Sequence, residues 1–128
     1  MLDHVSVSVS RFAEAERFYD AVMRALGVPK VGRDDDWIGY GDRADSLSPG
    51  RSYFALQRGP SAPADKRHWA FKAASRAAVD AFWSEGIAAG GSDDGPPGLR
   101  PDYHAHYYGA FLRDPEGNRV EAVCHLAP

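Results

Sequence analysis

A chain of 128 residues can bury one real core but is sized for a single domain. Its 44% hydrophobic and 26% charged residues are ordinary for a globular protein, which excludes a disordered or fibrous chain. The formal net charge is -3 and no basic run exceeds Lys66-Arg67, which argues against nucleic-acid and acidic-membrane binding.

The single cysteine, Cys124, leaves no internal disulfide framework and, within an apolar stretch, reads as an inert core thiol. No stretch approaches the ~20 apolar residues of a membrane span. "MLDHVSVSVS" lacks the basic and long apolar parts of a signal peptide, so a cytoplasmic protein is the expectation.

Along the chain, "HVSVSVS" alternates strictly, with Val5, Val7 and Val9 on one side and His4, Ser6 and Ser8 on the other. That pattern is a half-buried strand. Ser10 then reads as the N-cap of a helix on which Phe12, Ala15, Phe18, Tyr19, Val22 and Leu26 recur, stopped by Gly27. Asp34-Asp35-Asp36 reads as a hydrated turn, "WIGYG" and "SYFALQR" as short β pieces, and "GDRADSLSPG" as the loop between them. That loop lacks the Gly-Lys-Ser/Thr ending of a phosphate loop. "GPSAPADK" punctuates the chain, and the order restarts. "HWAFKA" is a strand with Trp69 and Phe71 on one face, and Ser75 caps a helix carrying Val79, Phe82, Trp83 and Ile87. "SDDGPPGLRPDYHAH" reads as a long loop, "YYGAFLR" as a strand, "DPEGN" as a turn and "RVEAVCH" as the returning strand. Strand, capped helix, then strands occur twice, so an internal duplication is expected, its halves being residues 1–60 and 66–128 of one domain.

Strand parity gives three residues a common orientation. If the apolar rows pack on the helices, His4, His68 and Glu121 all lie on the opposite sheet face. Two neutral imidazoles and a carboxylate suit Fe(II), Mn, Zn, Co or Ni and leave positions open for substrate or water. Taken singly, each residue reads as a solvent-side group of a half-buried strand, and only their agreement points to a site.

The stretches "DHVSVSVSRFAEAERFYDAVMRALG", "HWAFKAASRAAVDAFW" and "YYGAFLRDPEGNRVEAV" resemble the vicinal oxygen chelate superfamily of glyoxalase I, bleomycin-resistance and extradiol dioxygenase proteins. The resemblance covers essentially the whole chain. It implies an α+β fold of two βαβββ modules forming a curled mixed sheet, a cup, with helices on the outer face. It further implies a divalent metal (Fe, Zn, Mn or Ni) held by His4, His68 and Glu121. The remaining family ligand position falls on Ala55, which cannot ligate, with Gln57 two residues on as a weak substitute. This departure is closer to a three-ligand dioxygenase site than to the four-ligand glyoxalase I site. The implied activity is that of a lyase, isomerase or dioxygenase on a small oxygen-chelating substrate, and a homodimer is the implied assembly. The same family contains metal-free sequestering proteins, in which Trp37, Tyr53 and the loop tyrosines would hold a flat or cationic ligand without turnover.

The expected loop is dense in Tyr103, His104, His106, Tyr107 and Tyr108, an aromatic content unlike plain disorder. It could wall the cup, with Glu121, His104 and Tyr103 as catalytic candidates. Trp37, Tyr53, Arg100, His106 and Tyr107 are the substrate-contact candidates. Packing of the same rings against the domain or a second subunit is the plain alternative.

Overall fold

A computed structural model describes residues 1–63 and 66–128. The elements run β1 (His4–Val9), α1 (Phe12–Ala25), β2 (Lys30–Arg33), β3 (Trp37–Gly41), β4 (Tyr53–Arg58), β5 (His68–Lys72), α2 (Arg76–Ala88), β6 (Ser92–Leu99), β7 (Tyr108–Arg113) and β8 (Arg119–Cys124). This is βαβββ twice. Each module folds into its own four-stranded mixed sheet, in the orders β1-β4-β3-β2 and β5-β8-β7-β6. In both, the first strand pairs parallel with the fourth, and the other pairings are antiparallel.

The apolar rows meet in one core. Val7, Val9, Phe54 and Leu56 of the first sheet, Val120 and Ala122 of the second, and Phe18, Val22, Val79 and Phe82 of the helices are buried together. The modules are stitched through aromatic contacts of Phe54 with Trp69 and Phe71, at 5.9 and 5.3 Å between ring centroids. The opposite rows, His4, Ser6 and Ser8 in β1 and His68, Ala70 and Lys72 in β5, are exposed on the far side from this core. Helix α1 ends as its sequence suggests. Gly27 takes φ +71°, its N–H reaches the Arg24 carbonyl at 3.0 Å, and the Val28 N–H reaches Met23 at 2.8 Å. This is a Schellman stop.

Four expectations need correction. Ser10 does not cap α1: no side chain of its own first turn does, and the Glu116 carboxylate accepts from the Arg11 N–H and the Ser10 hydroxyl instead. Ser75, by contrast, caps α2 by accepting from the Ala78 N–H at 3.1 Å. The expected long loop contains strand β6, despite Pro96 and Pro97. It is an edge strand paired only with β7 through two register shifts, where a missing N–H costs little. β2 was not foreseen, and Ile87 lies at the surface, because α2 turns Gly86 rather than Ile87 toward α1.

Candidate functional site

Glu121 lies in the middle of β8, only 2% exposed. Isolation there would be costly for a carboxylate. Its Oε2 stands 3.4 Å from Nε2 of His68 on the neighbouring strand β5, and its Oε1 accepts from the Tyr107 hydroxyl. No Lys or Arg pairs with it among the described residues. Parity explains the meeting: Ala70 is the register partner of Glu121, and His68 lies two residues before it on the same face. Burial, then the bond to Glu121, push the Tyr107 phenol above its ordinary value, so it remains a donor.

Two further residues shape this face. Gly109 leaves room for the carboxylate, since a Cβ there would come within 3.2 Å of both Glu121 Oε1 and the Tyr107 ring. Phe111, the register partner of Glu121, stands 6.4 Å from the His68 ring and carries the Arg100 guanidinium at 5.8 Å over its own. Neither was expected from the sequence. Their role depends on the β7–β8 register, which the length of the "DPEGN" turn sets.

His4 opens β1 on the other sheet. Its Nδ1 is 2.7 Å from Asp3 Oδ2; because a carboxylate only accepts, a neutral imidazole there carries its proton on Nδ1 and keeps the Nε2 lone pair free. This is the carboxylate–histidine arrangement that orients metal-binding imidazoles. Asp3, its immediate neighbour in "DH", was readable but not singled out. The His4 ring stacks on Tyr53 at 4.9 Å and 14°. Ala55, expected at the remaining family ligand position, is fully buried and offers only a methyl group, and Gln57 is exposed.

Within one chain the structure brings together His68, Glu121, Tyr107, Phe111 and Arg100, but not His4. Among the described residues no three His, Cys, Asp or Glu of a single chain are close enough to hold one ion. The loop candidates divide. Residues 100–107 close into a compact connection, with the Arg100 N–H bonded to the Tyr107 carbonyl at 2.8 Å. Tyr107 reaches the carboxylate. The Tyr103 ring packs on Tyr107 at 4.8 Å and a tilt of 56°, and His104 pairs with His125 at 2.9 Å, so both pack the loop rather than face Glu121. His106 is exposed and uses its backbone N–H on His104. Arg100 bonds the Pro96 carbonyl at 2.8 Å. Trp37 and Tyr53 lie on the open face of the first sheet. No helix among the described residues is long and apolar enough to cross a membrane.

Known proteins share this architecture. A family model for the Glyoxalase/Bleomycin resistance protein/Dioxygenase superfamily matches residues 1–122. A glyoxalase/bleomycin resistance protein from Albidiferax ferrireducens T118 is 30% identical, with a TM-score of 0.80 over 98% of this chain and 99% of that one. A putative glyoxalase from Bacillus halodurans is 25% identical, with a TM-score of 0.70 over 97% of this chain and 95% of that one. The fosfomycin resistance protein FosX from Mesorhizobium loti shares the fold at 17% identity, with a TM-score of 0.67 over 98% of this chain and 92% of that one. No curated protein matches the chain. With the matched model spanning both modules, the chain belongs to the Glyoxalase/Bleomycin resistance protein/Dioxygenase superfamily.

Proposed function

We propose that the protein is a metal-dependent enzyme of the vicinal oxygen chelate type, acting on a small substrate through two adjacent oxygens. The observation that carries this reading is the buried Glu121 carboxylate, which meets the His68 imidazole at 3.4 Å and, among the described residues, no Lys or Arg. That spacing fits two ligand atoms each about 2.1 Å from one divalent ion. His4 supplies a matching donor, with Asp3 fixing its tautomer and Nε2 left free. Its position on the other sheet leads to the second part of the proposal: the site is completed in a homodimer, His4 of one protomer meeting His68 and Glu121 of its partner. His4 and His68 are both exposed in a single chain, which supports this arrangement.

When bound, the metal would supply Lewis-acid polarisation of a substrate oxygen. The chain's own groups do the rest. Glu121 and His68 orient one side of the site. Tyr107 holds its proton on the phenolic oxygen and fixes the Glu121 carboxylate by donating to it. Phe111 and the Tyr107 ring keep water from the carboxylate's apolar side. Isomerisation, C–C cleavage and oxygen insertion all suit such a site, and the small-molecule substrate selects among them.

The test is metal content by elemental analysis after purification without a chelator or a His-tag, on wild type, His4→Ala, His68→Ala and Glu121→Gln. Near-stoichiometric metal in wild type and loss in each variant is expected. Mixing His4→Ala with His68→Ala chains then restores one intact site per mixed dimer, because one protomer still offers His4 and its partner still offers His68 and Glu121. Absence of metal in wild type after reconstitution with Fe(II), Zn, Mn and Ni would sink the enzyme reading and favour a metal-free binding protein. Metal lost from each variant and not recovered in their mixtures would refute the shared site.

A further inference from the structure

The open face of the first sheet carries a feature that the proposed metal chemistry does not use. Its floor is made of small residues, because Ser6, Ala55 and Gly39 share one row across β1, β4 and β3, and Gly32 of β2 pairs with Gly39. The Trp37 ring lies across this floor. A Cβ on Gly32 would come within 2.6 Å of it, and one on Gly39 would collide with the same ring. Both glycines are therefore there for the indole, and only its outer face is left.

That outer face already has a cation on it. Arg43, from the loop between β3 and β4, sets its guanidinium 5.3 Å from the Trp37 ring and 5.0 Å from the Tyr53 ring. Tyr53 stacks in turn on His4. Two other arginines of this sheet use their N–H groups on protein oxygens, Arg33 on Glu16 and Arg58 on the Asp35 carbonyl. Arg43 has no hydrogen bond or ion pair among the described residues. Two aromatic faces position the guanidinium, while its planar edge of N–H donors stays free. A cationic ligand would find this slot filled by like charge, so the slot suits the opposite sign.

We infer that Arg43 is an anion-recognising specificity residue, and that the ligand is a small organic molecule bearing a carboxylate or phosphonate. The group reads the free guanidinium edge, one ring removed from His4, while Trp37 and Tyr53 hold the guanidinium in place. This rests on the proposed site only in placing the rest of the ligand near His4; the anion contact itself needs no metal.

The experiment is fluorine NMR titration of the full chain with 4-fluorobenzoate and its neutral counterpart 4-fluorobenzamide, with phenylphosphonate as competitor. A charge-assisted pair predicts a preference for the benzoate of roughly tenfold or more. Phenylphosphonate should displace it. Arg43→Gln should remove the preference, Arg43→Lys should keep part of it, and Arg51→Gln should leave it intact. Equal affinity for the amide, a preference surviving in Arg43→Gln, or no benzoate binding overturns the inference. Repeating the titration in His4→Ala separates the two proposals. Benzoate binding that depends on Arg43 but not on His4, in a protein without metal, would leave the anion site standing and the metal reading refuted. Metal binding without a benzoate preference would do the reverse.

Discussion

The Tyr19 hydroxyl donates to Asp114 Oδ2 at 2.8 Å, tying helix α1 of the first module to the β7–β8 turn of the second. Asp114 is 4% exposed, and its other oxygen accepts the N–H groups of Glu116 and Asn118 at 2.9 Å each. Asn118 Nδ2 adds a bond at 3.0 Å. The Phe-Tyr pair of the first helix and the "DPEGN" turn are therefore two halves of one buried polar joint. In this chain Tyr19 and the turn hold the modules together. Burial, then the Asp114 charge, push the Tyr19 phenol well above its ordinary value, so the donor is permanent at any working pH.

Tyr19→Phe removes that donor and leaves a buried carboxylate oxygen underserved, at a cost of about 1–3 kcal/mol. A lower urea midpoint with an unchanged slope is expected, since the surface exposed on unfolding stays the same. A midpoint equal to wild type would mean that the joint contributes nothing net.

How much of this was legible depends on the range over which each signal acts. The period-2 rows of β1, β5 and β8 put His4, His68 and Glu121 on open faces, and the 3.6 period of α1 gave its core residues, because both patterns are local. The Glu116 cap was invisible because its partner Ser10 lies 106 residues away. Strand β6 was hidden by Pro96 and Pro97, which look like loop residues until the chain is known to run along a sheet edge. The separation of His4 from Glu121 follows from pairing order: β1 bonds β4 and β5 bonds β8, so common parity never implied a common site within one chain. Arg43 was missed because only the path of its loop brings it over Trp37.

Gly86→Ala should destabilise the protein although alanine is the better helix former by ~1 kcal/mol. Its Cβ would collide with Leu112 Cδ1 and lie 2.9 Å from Val22 Cγ1, where α2 crosses α1 over β7. Overpacking of this kind costs about 1–3 kcal/mol. Thermal melting decides it; a rise in Tm would mean that Leu112 repacks freely.

Acid sensitivity should be traceable in part to Glu16, which pairs with Lys30 at 2.7 Å and Arg33 at 3.2 Å. Arg33 first, and Lys30 with it, hold the carboxyl below its ordinary value against the opposing effect of burial. A carboxyl whose value is lowered by folding adds stability above the unfolded-state value, and that contribution is lost as pH falls through the folded-state value. Glu16→Gln should therefore be less stable than wild type at pH 7, and the gap should close as the pH drops below the ordinary carboxylate value of 4.5. Urea midpoints across that window test this, and a gap that stays constant contradicts it.

Tyr107→Phe probes what Glu121 needs. If the hydroxyl orients the carboxylate for an ion, its loss should weaken metal retention by roughly 10–100-fold, the usual effect of removing an outer-shell partner. Gly109→Ala should act in the same direction by a different route, because its Cβ, 3.2 Å from both Glu121 Oε1 and the Tyr107 ring, wedges the pair apart. Competition with a metallochromic chelator measures both without a substrate. Weakening in both variants assigns Tyr107 a positioning role. Tighter binding in Tyr107→Phe would instead make the phenol a competitor of the ion for Glu121. The Tyr107–Glu121 bond in the single chain would then describe a carboxylate held back from an ion rather than one presented to it.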